Sequence, residues 1–331
     1  MSELRFNPVR DEWVITATHR QARTFLPPAN YCPLCPTLDG GFPTEIPSPD
    51  YELAAFENRF PSLSLTPPVP SIEGDDLYPV AEAAGVCEVI VYTPDHNSTL
   101  ADQPLEQILK LISVWRHRFR ELDRLELIDY VYIFENKGEE MGVTLHHPHG
   151  QVYGYPFVPP IVAREVNAAE AHHAMNGECL FCSVLRKEKE SGVRVVAEND
   201  GFVSFVPFFA RYPYEVHIYP QRHVTSIESL TSVEDVLLAE ILKQTLSAFD
   251  RLFDVSFPYV MAFHQRPSDG RDYDDIYHFH IEFYPPIRAH ERLKFLAGSE
   301  IGAGVFINDA LPEQTALELR KLVQPVQWNI R

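Results

Sequence analysis

The amino-acid sequence predicts an α+β fold in which two tandem copies of one unit each combine a mainly antiparallel sheet with flanking helices. Three observations lead to this prediction. Segments 88–96 and 215–223 share the pattern Glu-Val-x-aliphatic-Tyr-x-x-x-His, and both alternate in polarity as strands do. Each is followed by a long amphipathic segment, and each half of the chain then contains two further alternating segments.

The predicted elements follow one another in the same order in both halves. Apolar residues recur at three- and four-residue steps in the predicted helices, whereas period-two alternation marks the strand pairs. The helix and the strand pair occupy 105–123, 130–138 and 146–155 in the first half, and 233–254, 258–266 and 277–285 in the second. We therefore expect two units, 1–166 and 167–331, joined through residues 167–178.

Composition restricts the partners of the chain. Its 331 residues include 28 Lys and Arg against 47 Asp and Glu, which gives a net charge of −19. A charge of this sign repels nucleic acid and anionic membrane surfaces. The N-terminal segment lacks the apolar run of a signal peptide, and no stretch reaches the roughly 18 apolar residues of a membrane helix. We expect a cytoplasmic protein that binds neither membrane nor nucleic acid.

Cysteine and histidine residues form the same ordered set in each half. The set consists of a Cys-x-x-Cys pair, a histidine at a strand end and the first histidine of a His-x-His sequence. The predicted ligand sets are Cys32, Cys35, His96 and His147, and Cys179, Cys182, His223 and His278. Four such side chains suit a tetrahedral zinc site. A redox dithiol is the alternative for each Cys-x-x-Cys pair, but no thioredoxin-like pattern surrounds either one.

The segment LHHPHGQVYGYPFVPP, residues 145–160, indicates a reactive histidine. Residues two apart on a strand share a face, so His147, His149 and Gln151 are expected to point the same way. If His147 binds a metal, His149 is held in a fixed position two residues further on, because Pro148 stiffens the backbone between the two histidines. His149 is then free to act as general base, metal ligand or nucleophile. Three core histidines would be the alternative, and each ring would need a buried partner.

The segment NKGEEMGVTLHHPHGQVYGY resembles the signature of the galactose-1-phosphate uridylyltransferase family, in the histidine triad superfamily. The similarity extends to RFNPVRDEWVITATHRQAR near the N-terminus, to CPLC and PDHNSTL, and to the segment 278–304. The fold implied is a pair of histidine-triad-like units, of which the first is catalytic and the second structural. A homodimer in galactose metabolism, with sites completed across the interface, is also implied.

The resemblance implies a ping-pong reaction in two steps. His149 attacks the α-phosphorus of UDP-glucose, releases glucose 1-phosphate and becomes uridylylated; galactose 1-phosphate then accepts the UMP. Gln151 would donate its amide to the phosphoryl oxygen without shuttling protons, which suits transfer over hydrolysis. The residues expected to bind the phosphates, ribose and base are Arg20, Arg23, Phe56, Asn58, Phe60, Asn136, Thr144 and Gln151.

Several positions leave alternatives open. An iron-type site known from the family could be formed by Glu165, His264, His280 and Glu282, although the intact Cys179 and Cys182 pair favours zinc in the second half. Phe306 stands where the family has a glutamine thought to contact the sugar phosphate, which leaves the acceptor sugar open. An ADP-glucose phosphorylase using the same histidine, or a non-catalytic nucleotide-binding zinc protein, are the alternative functions.

The second half is expected to have lost catalysis. His278-Phe279-His280-Ile281-Glu282 stands where the first half has the histidine and glutamine sequence, so that a carboxylate replaces the amide and phenylalanine replaces the proline. A carboxylate at this position would repel a phosphate. We expect this half to keep a structural role.

Overall fold

The computed structural model describes residues 2–22, residue 27 and residues 31–328. The strands are β1 (Ser2–Asn7), β2 (Glu12–Ala17), β3 (Ala54–Glu57), β4 (Val80–Glu82), β5 (Val86–Val91), β6 (Tyr130–Lys137), β7 (His149–Tyr155), β8 (Val195–Glu198), β9 (Phe202–Phe205), β10 (Val216–Pro220), β11 (Tyr259–His264), β12 (His280–Tyr284), β13 (Ile287–Ala289) and β14 (Arg292–Leu293). The α-helices are α1 (Leu105–Asp123), α2 (Pro160–Asn176), α3 (Leu180–Ser191), α4 (Ser232–Leu252) and α5 (Pro312–Leu322).

A nine-stranded sheet runs through both halves in the order β3-β5-β7-β6-β11-β12-β10-β9-β8. The neighbouring strands pair antiparallel throughout. The quartet β3-β5-β7-β6 is repeated as β9-β10-β12-β11, and the two quartets meet where β6 pairs with β11. This arrangement confirms the predicted α+β class with its internal repeat. Strands β1, β2 and β4 form a separate three-stranded sheet.

Two helices cover one face of the large sheet. Helix α1 connects β5 to β6 and α4 connects β10 to β11, in equivalent places of the repeat. A capping box between Thr231 and Glu234 fixes the start of α4, because each side chain bonds the other's backbone N–H. Arg116 of α1 pairs with Asp235 of α4, with Nη1 2.6 Å from Oδ2. The apolar stripes of both helices, with Trp115 fully buried, join the sheet in one core.

The opposite face of the sheet carries the polar side chains. On β7, His149 and Gln151 lie on this face, where Gln151 is opposite Val89 of β5 and Phe134 of β6. Helices α2 and α3 cover the second half of the face, and Phe181 of α3 belongs to their shared cluster. A cavity of about 230 Å³ lies over the first half of the face, and one of about 370 Å³ lies between these helices and the second half. Helix α2 runs through the expected junction between the two units at residue 166.

The two Glu-Val-x-x-Tyr strands differ in register by one residue. Gln151 lies opposite Val89, whereas Glu282 lies opposite His217, so that Val89 corresponds to His217 and Val91 to Tyr219. A shift of one residue reverses the face of every side chain. Tyr92 accordingly packs toward α1 against Trp115, with ring centroids 6.1 Å apart, while Tyr219 packs on the other face.

Within the described residues, no helix has the length and apolar character needed to span a bilayer.

Candidate active site and metal centres

His149 is oriented by a backbone carbonyl at the start of β7. Its Nδ1 lies 2.7 Å from the carbonyl oxygen of His147, and because a carbonyl only accepts, Nδ1 must carry the proton. Burial lowers the pKa of His149, so that the ring is neutral near pH 7. A neutral ring protonated at Nδ1 presents a bare Nε2 lone pair. The geometry therefore suits His149 to nucleophilic attack.

Gln151 lies two residues further along the same face. Its side-chain oxygen accepts hydrogen bonds from the Asn58 amide at 3.4 Å and from the Tyr153 hydroxyl at 3.2 Å. With the oxygen occupied, the amide N–H groups are left to donate to a ligand.

A cavity of about 230 Å³ lies over His149 and Gln151. Eight residues expected from the sequence line it: Arg20, Phe56, Asn58, Phe60, Asn136, Thr144, His149 and Gln151. Arg23, the remaining expected residue, lies outside the described part of the chain. The expected residues thus bring a cation, aromatic rings, amides and a hydroxyl around the imidazole. Such a lining can hold a phosphorylated nucleotide beside a nucleophile.

The first Cys/His set forms a compact cluster beside this cavity, formed by Cys32, Cys35, His96 and His147, whose ligand atoms lie within 4.8 Å of one another. The Sγ of Cys35 is 3.5 Å from the Nδ1 atoms of both His96 and His147. The Nε2 of His147 lies 2.7 Å from the Thr93 carbonyl, which fixes the proton there and leaves Nδ1 as a lone pair toward the sulfurs. Two thiols and two imidazole nitrogens in this arrangement fit a tetrahedral zinc ion.

The second Cys/His set, formed by Cys179, Cys182, His223 and His278, is equally compact. The Sγ of Cys182 lies 3.2 Å from Nδ1 of His223 and 3.4 Å from Nδ1 of His278. The Nε2 of His223 lies 2.6 Å from the Asp274 carbonyl, so its Nδ1 is also free to bind a metal. Both sets could hold the same kind of ion.

Comparisons with known proteins agree with this geometry. The model of the N-terminal domain of galactose-1-phosphate uridyl transferase matches residues 1–159, and that of the C-terminal domain matches residues 165–328. The chain belongs to the galactose-1-phosphate uridylyltransferase family. The galactose-1-phosphate uridylyltransferase of Thermotoga maritima is 43% identical over 321 residues, which cover 97% of this chain and 98% of the relative. The family resemblance is confirmed, and the chain is an enzyme of the transferase class.

Two solved structures add to the comparison. A structure described as uridylyltransferase has a TM-score of 0.87 at 37% identity and covers 97% of this chain and 98% of its own. An ADP-glucose phosphorylase from Arabidopsis thaliana with bound ADP-glucose has a TM-score of 0.73 at 26% identity and covers 97% of this chain and 99% of its own.

A third cluster in this uridylyltransferase family member contains Glu165 of α2 together with His264, His280 and Glu282 of the second half. Nδ1 of His264 lies 3.0 Å from Glu165, and its Nε2 lies 3.3 Å from Glu282. Although burial opposes it, the charges of both carboxylates raise the pKa of His264 to about 9. Tyr277 also donates to Glu165 at 2.7 Å. The carboxylates therefore have a protonated partner within the protein itself.

Several residues of the cavity were not predicted from the sequence. Tyr153 and Phe134 line it, as do Leu34 and Arg59. Tyr153 had a usable signal, since it lies two residues after Gln151 on the predicted strand. Phe134 could be placed only from the register between β6 and β7. Leu34 and Arg59 lie between expected residues and carried no signal of their own.

Phe306, which the sequence placed at a sugar-phosphate position, lies in the second half. Its ring packs against Tyr212 at 6.0 Å and under the Arg211 guanidinium at 5.2 Å. Phe306 is thus in contact with residues of the second half of the same chain.

Proposed function

We propose that this protein transfers UMP from UDP-glucose to galactose 1-phosphate through a covalent uridylyl-His149 intermediate. The observation that supports it most directly is the cavity in which the bare Nε2 of His149 faces the same space as the Gln151 amide. The names of the relatives support the substrates, because the Thermotoga maritima protein is a galactose-1-phosphate uridylyltransferase.

In the first step, Nε2 of His149 attacks the α-phosphorus. The P–N bond forms while the P–O bond to glucose 1-phosphate breaks, and the sugar phosphate leaves as an anion without needing a proton. The positive charge that develops on the ring is stabilised at Nδ1–H by the His147 carbonyl, 2.7 Å away. In the second step a phosphate oxygen of galactose 1-phosphate attacks, and the P–N bond breaks.

Residues around the cavity would hold the anionic substrate against the negative charge of the whole protein. Gln151 donates to the phosphoryl oxygen, and Asn136 and Thr144 contact the phosphates. Arg20 supplies a cation near the nucleotide, and it is anchored by a 2.8 Å hydrogen bond from Nη1 to the Phe60 carbonyl. Phe56, Asn58 and Phe60 would hold the base and ribose, and Arg23 would add a second cation.

Each Cys/His cluster would hold a structural zinc ion. In the first half, Cys32, Cys35, His96 and His147 would be the ligands, and His147 would be fixed together with the carbonyl that orients His149. In the second half the ligands would be Cys179, Cys182, His223 and His278. Iron at Glu165, His264, His280 and Glu282 is the less favoured alternative, because the intact Cys179 and Cys182 pair gives the second half a complete set of zinc ligands.

The remaining proposals concern organisation. Residues 1–166 would act as the catalytic unit and 167–331 as the structural unit of a cytoplasmic homodimer. Exposed apolar side chains on the segment after β14, among them Phe295, Ile301 and Val305, support a subunit contact, since patches of this kind commonly mark interfaces.

The test is the intact mass of the protein after mixing with UDP-glucose or with ADP-glucose. A uridylyl adduct should appear with UDP-glucose and disappear when galactose 1-phosphate is added. His149→Ala should form no adduct, whereas His146→Ala, at an exposed neighbouring histidine, should form it normally. An adduct that persists in His149→Ala would contradict the nucleophile assignment.

An ADP-sugar phosphorylase is the second candidate, because the Arabidopsis thaliana enzyme of that name shares the fold with a TM-score of 0.73. An adduct formed only from ADP-glucose and discharged by inorganic phosphate would establish that function instead. Absence of an adduct with either nucleotide sugar would favour a non-catalytic nucleotide-binding zinc protein.

A further inference from the structure

The side-chain amide of Gln151 can serve the reaction in only one of its two orientations. An anionic phosphoryl group needs the N–H donors, and the amide oxygen in their place would repel it. Some feature of the protein must therefore hold the oxygen away from the cavity.

Asn58 is one of the residues that hold the Gln151 oxygen away from the cavity. Its side-chain oxygen accepts the backbone N–H of Phe60 at 2.9 Å, and a backbone N–H can only donate. The Asn58 NH₂ group is therefore the end that faces Gln151, 3.4 Å from the Gln151 oxygen. This contact is satisfied only when Gln151 turns its oxygen toward Asn58.

Tyr153 supplies the second and shorter contact. Burial raises the pKa of Tyr153, and the nearby Arg20 guanidinium, which can only donate hydrogen bonds, opposes this rise. The positive charge of Arg20 favours the orientation in which the hydroxyl turns its single hydrogen toward the Gln151 oxygen, 3.2 Å away. In this contact Tyr153 is therefore the donor and Gln151 the acceptor.

We infer that Tyr153 is a positioning residue that, together with Asn58, locks the Gln151 amide with its N–H groups toward the substrate phosphate. This inference rests on the proposed uridylyl transfer. Tyr153 also lines the cavity, so the decisive question is whether removing its hydroxyl matters only while Gln151 is present. The packing of Tyr153 supports a fixed geometry, because the residue is 8% exposed and its ring lies 5.1 Å from that of Phe134.

The first measurement is the single-turnover rate of uridylyl-enzyme formation at saturating UDP-glucose. Tyr153→Phe keeps the ring and should lower this rate about tenfold, the equivalent of one neutral hydrogen bond. The UDP-glucose concentration at half-saturation should change much less than the rate. Tyr155→Phe is the matched control, two residues further on the same face of β7, and should keep the normal rate.

The second measurement repeats Tyr153→Phe in a Gln151→Met background, which keeps side-chain length but removes the amide. The inference requires that the tenfold effect falls to less than about twofold there, because contacting groups couple in a double-mutant cycle. An equal loss in both backgrounds would overturn the inference, and so would a normal rate in the single Tyr153→Phe variant.

Asn58→Asp provides an independent variant. The aspartate can still accept the Phe60 N–H, but its other oxygen would attract the Gln151 NH₂ and turn the amide. The rate should fall about 100-fold, and by clearly less in the Gln151→Met background, where only the added charge acts. Equal losses in both backgrounds would count against the inference. If the unsubstituted protein forms no adduct, the proposed function is wrong, and the inference that rests on it is wrong too. If it forms the adduct but the variants lose rate equally in both backgrounds, only the inference about Tyr153 and Asn58 is wrong.

Discussion

Gly150 offers a sharp test of how closely the sheet is packed behind the nucleophile. It lies on β7 between His149 and Gln151, and its missing side chain would point toward the face that carries α1. A Cβ added there would lie 2.1 Å from the Tyr92 hydroxyl oxygen and 3.0 Å from the Phe134 carbonyl oxygen. Ordinary contacts begin near 3.4 Å, so Gly150→Ala requires a movement of about 1 Å.

Tyr92 cannot absorb this movement easily. It is 1% exposed and packs against Trp115 with ring centroids 6.1 Å apart. Overpacking of this kind costs about 1–3 kcal/mol of stability. If β7 moves instead, the residues on either side of Gly150 are displaced, and a displacement of about 1 Å in an active site can lower the rate about 100-fold.

Urea unfolding and single-turnover adduct formation measure the two effects separately. Gly150→Ala should lose both stability and rate, and Tyr92→Phe/Gly150→Ala should regain part of each, since the closest oxygen is gone. The recovery should be incomplete because the Phe134 carbonyl stays at 3.0 Å. Gly298→Ala is the control, since among the described residues nothing lies within 4 Å of its added Cβ. Wild-type behaviour of Gly150→Ala, or equal losses with and without Tyr92→Phe, would show that Tyr92 does not restrict the space behind Gly150.

Three further predictions concern charge and metal. Gln151→Glu should lower the rate of adduct formation by about 10²- to 10³-fold, because a carboxylate replaces the donor; steady-state kinetics with an unchanged kcat would contradict this role. Protein purified without added metal should contain about two zinc equivalents, and Cys179→Ser/Cys182→Ser about one, by elemental analysis; one equivalent in the parent protein would show a wrong ligand set. Burial raises the pKa of Glu135 to about 7, so the stability that its protonated form contributes is lost as pH rises from 4.5 through 7. At pH 8 the Glu135→Gln variant should therefore be more stable than the parent by on the order of 3 kcal/mol, and at pH 4 the two should be nearly equal. Urea unfolding at both pH values measures this difference, and a difference that does not vary with pH would contradict the prediction.

The fold could be predicted from the sequence because its repeat leaves a strong signal. The helix of each half carries an apolar stripe, and α1 and α4 begin and end within two residues of the predicted bounds. The two Cys/His clusters could also be predicted, because two Cys-x-x-Cys pairs and two His-x-His sequences recur in the same order. Residue pattern and spacing are enough to predict an element when the same element occurs in both halves of the chain.

The pairing register could not be predicted in the same way. The sequences EVIVY and EVHIY match by eye, yet Tyr92 and Tyr219 point to opposite faces of the sheet. The direction of a side chain depends on which residue pairs with the neighbouring strand, and that is fixed by long-range packing rather than by local sequence. For the same reason Phe134 entered the site only through its position opposite Gln151.

The register also gives a physical reason for the loss of catalysis expected in the second half. His280 is oriented as His149 is, with Nδ1 2.8 Å from the His278 carbonyl. What differs is the space above it. Val91 of the first half corresponds to Tyr219, whose ring lies 4.8 Å from that of His280, and on the neighbouring strand His264 lies 4.9 Å away.

These larger side chains pack against the second imidazole. His280 is 1% exposed, although it borders a cavity of about 370 Å³ that lies between the sheet and helices α2 and α3. Replacing Glu282 with glutamine would remove the charge that repels a phosphate, but it would leave the rings of Tyr219 and His264 against His280. Restoring reactivity to His280 would therefore require smaller side chains at these two positions as well, and Tyr219 also belongs to the buried cluster formed with α2 and α3.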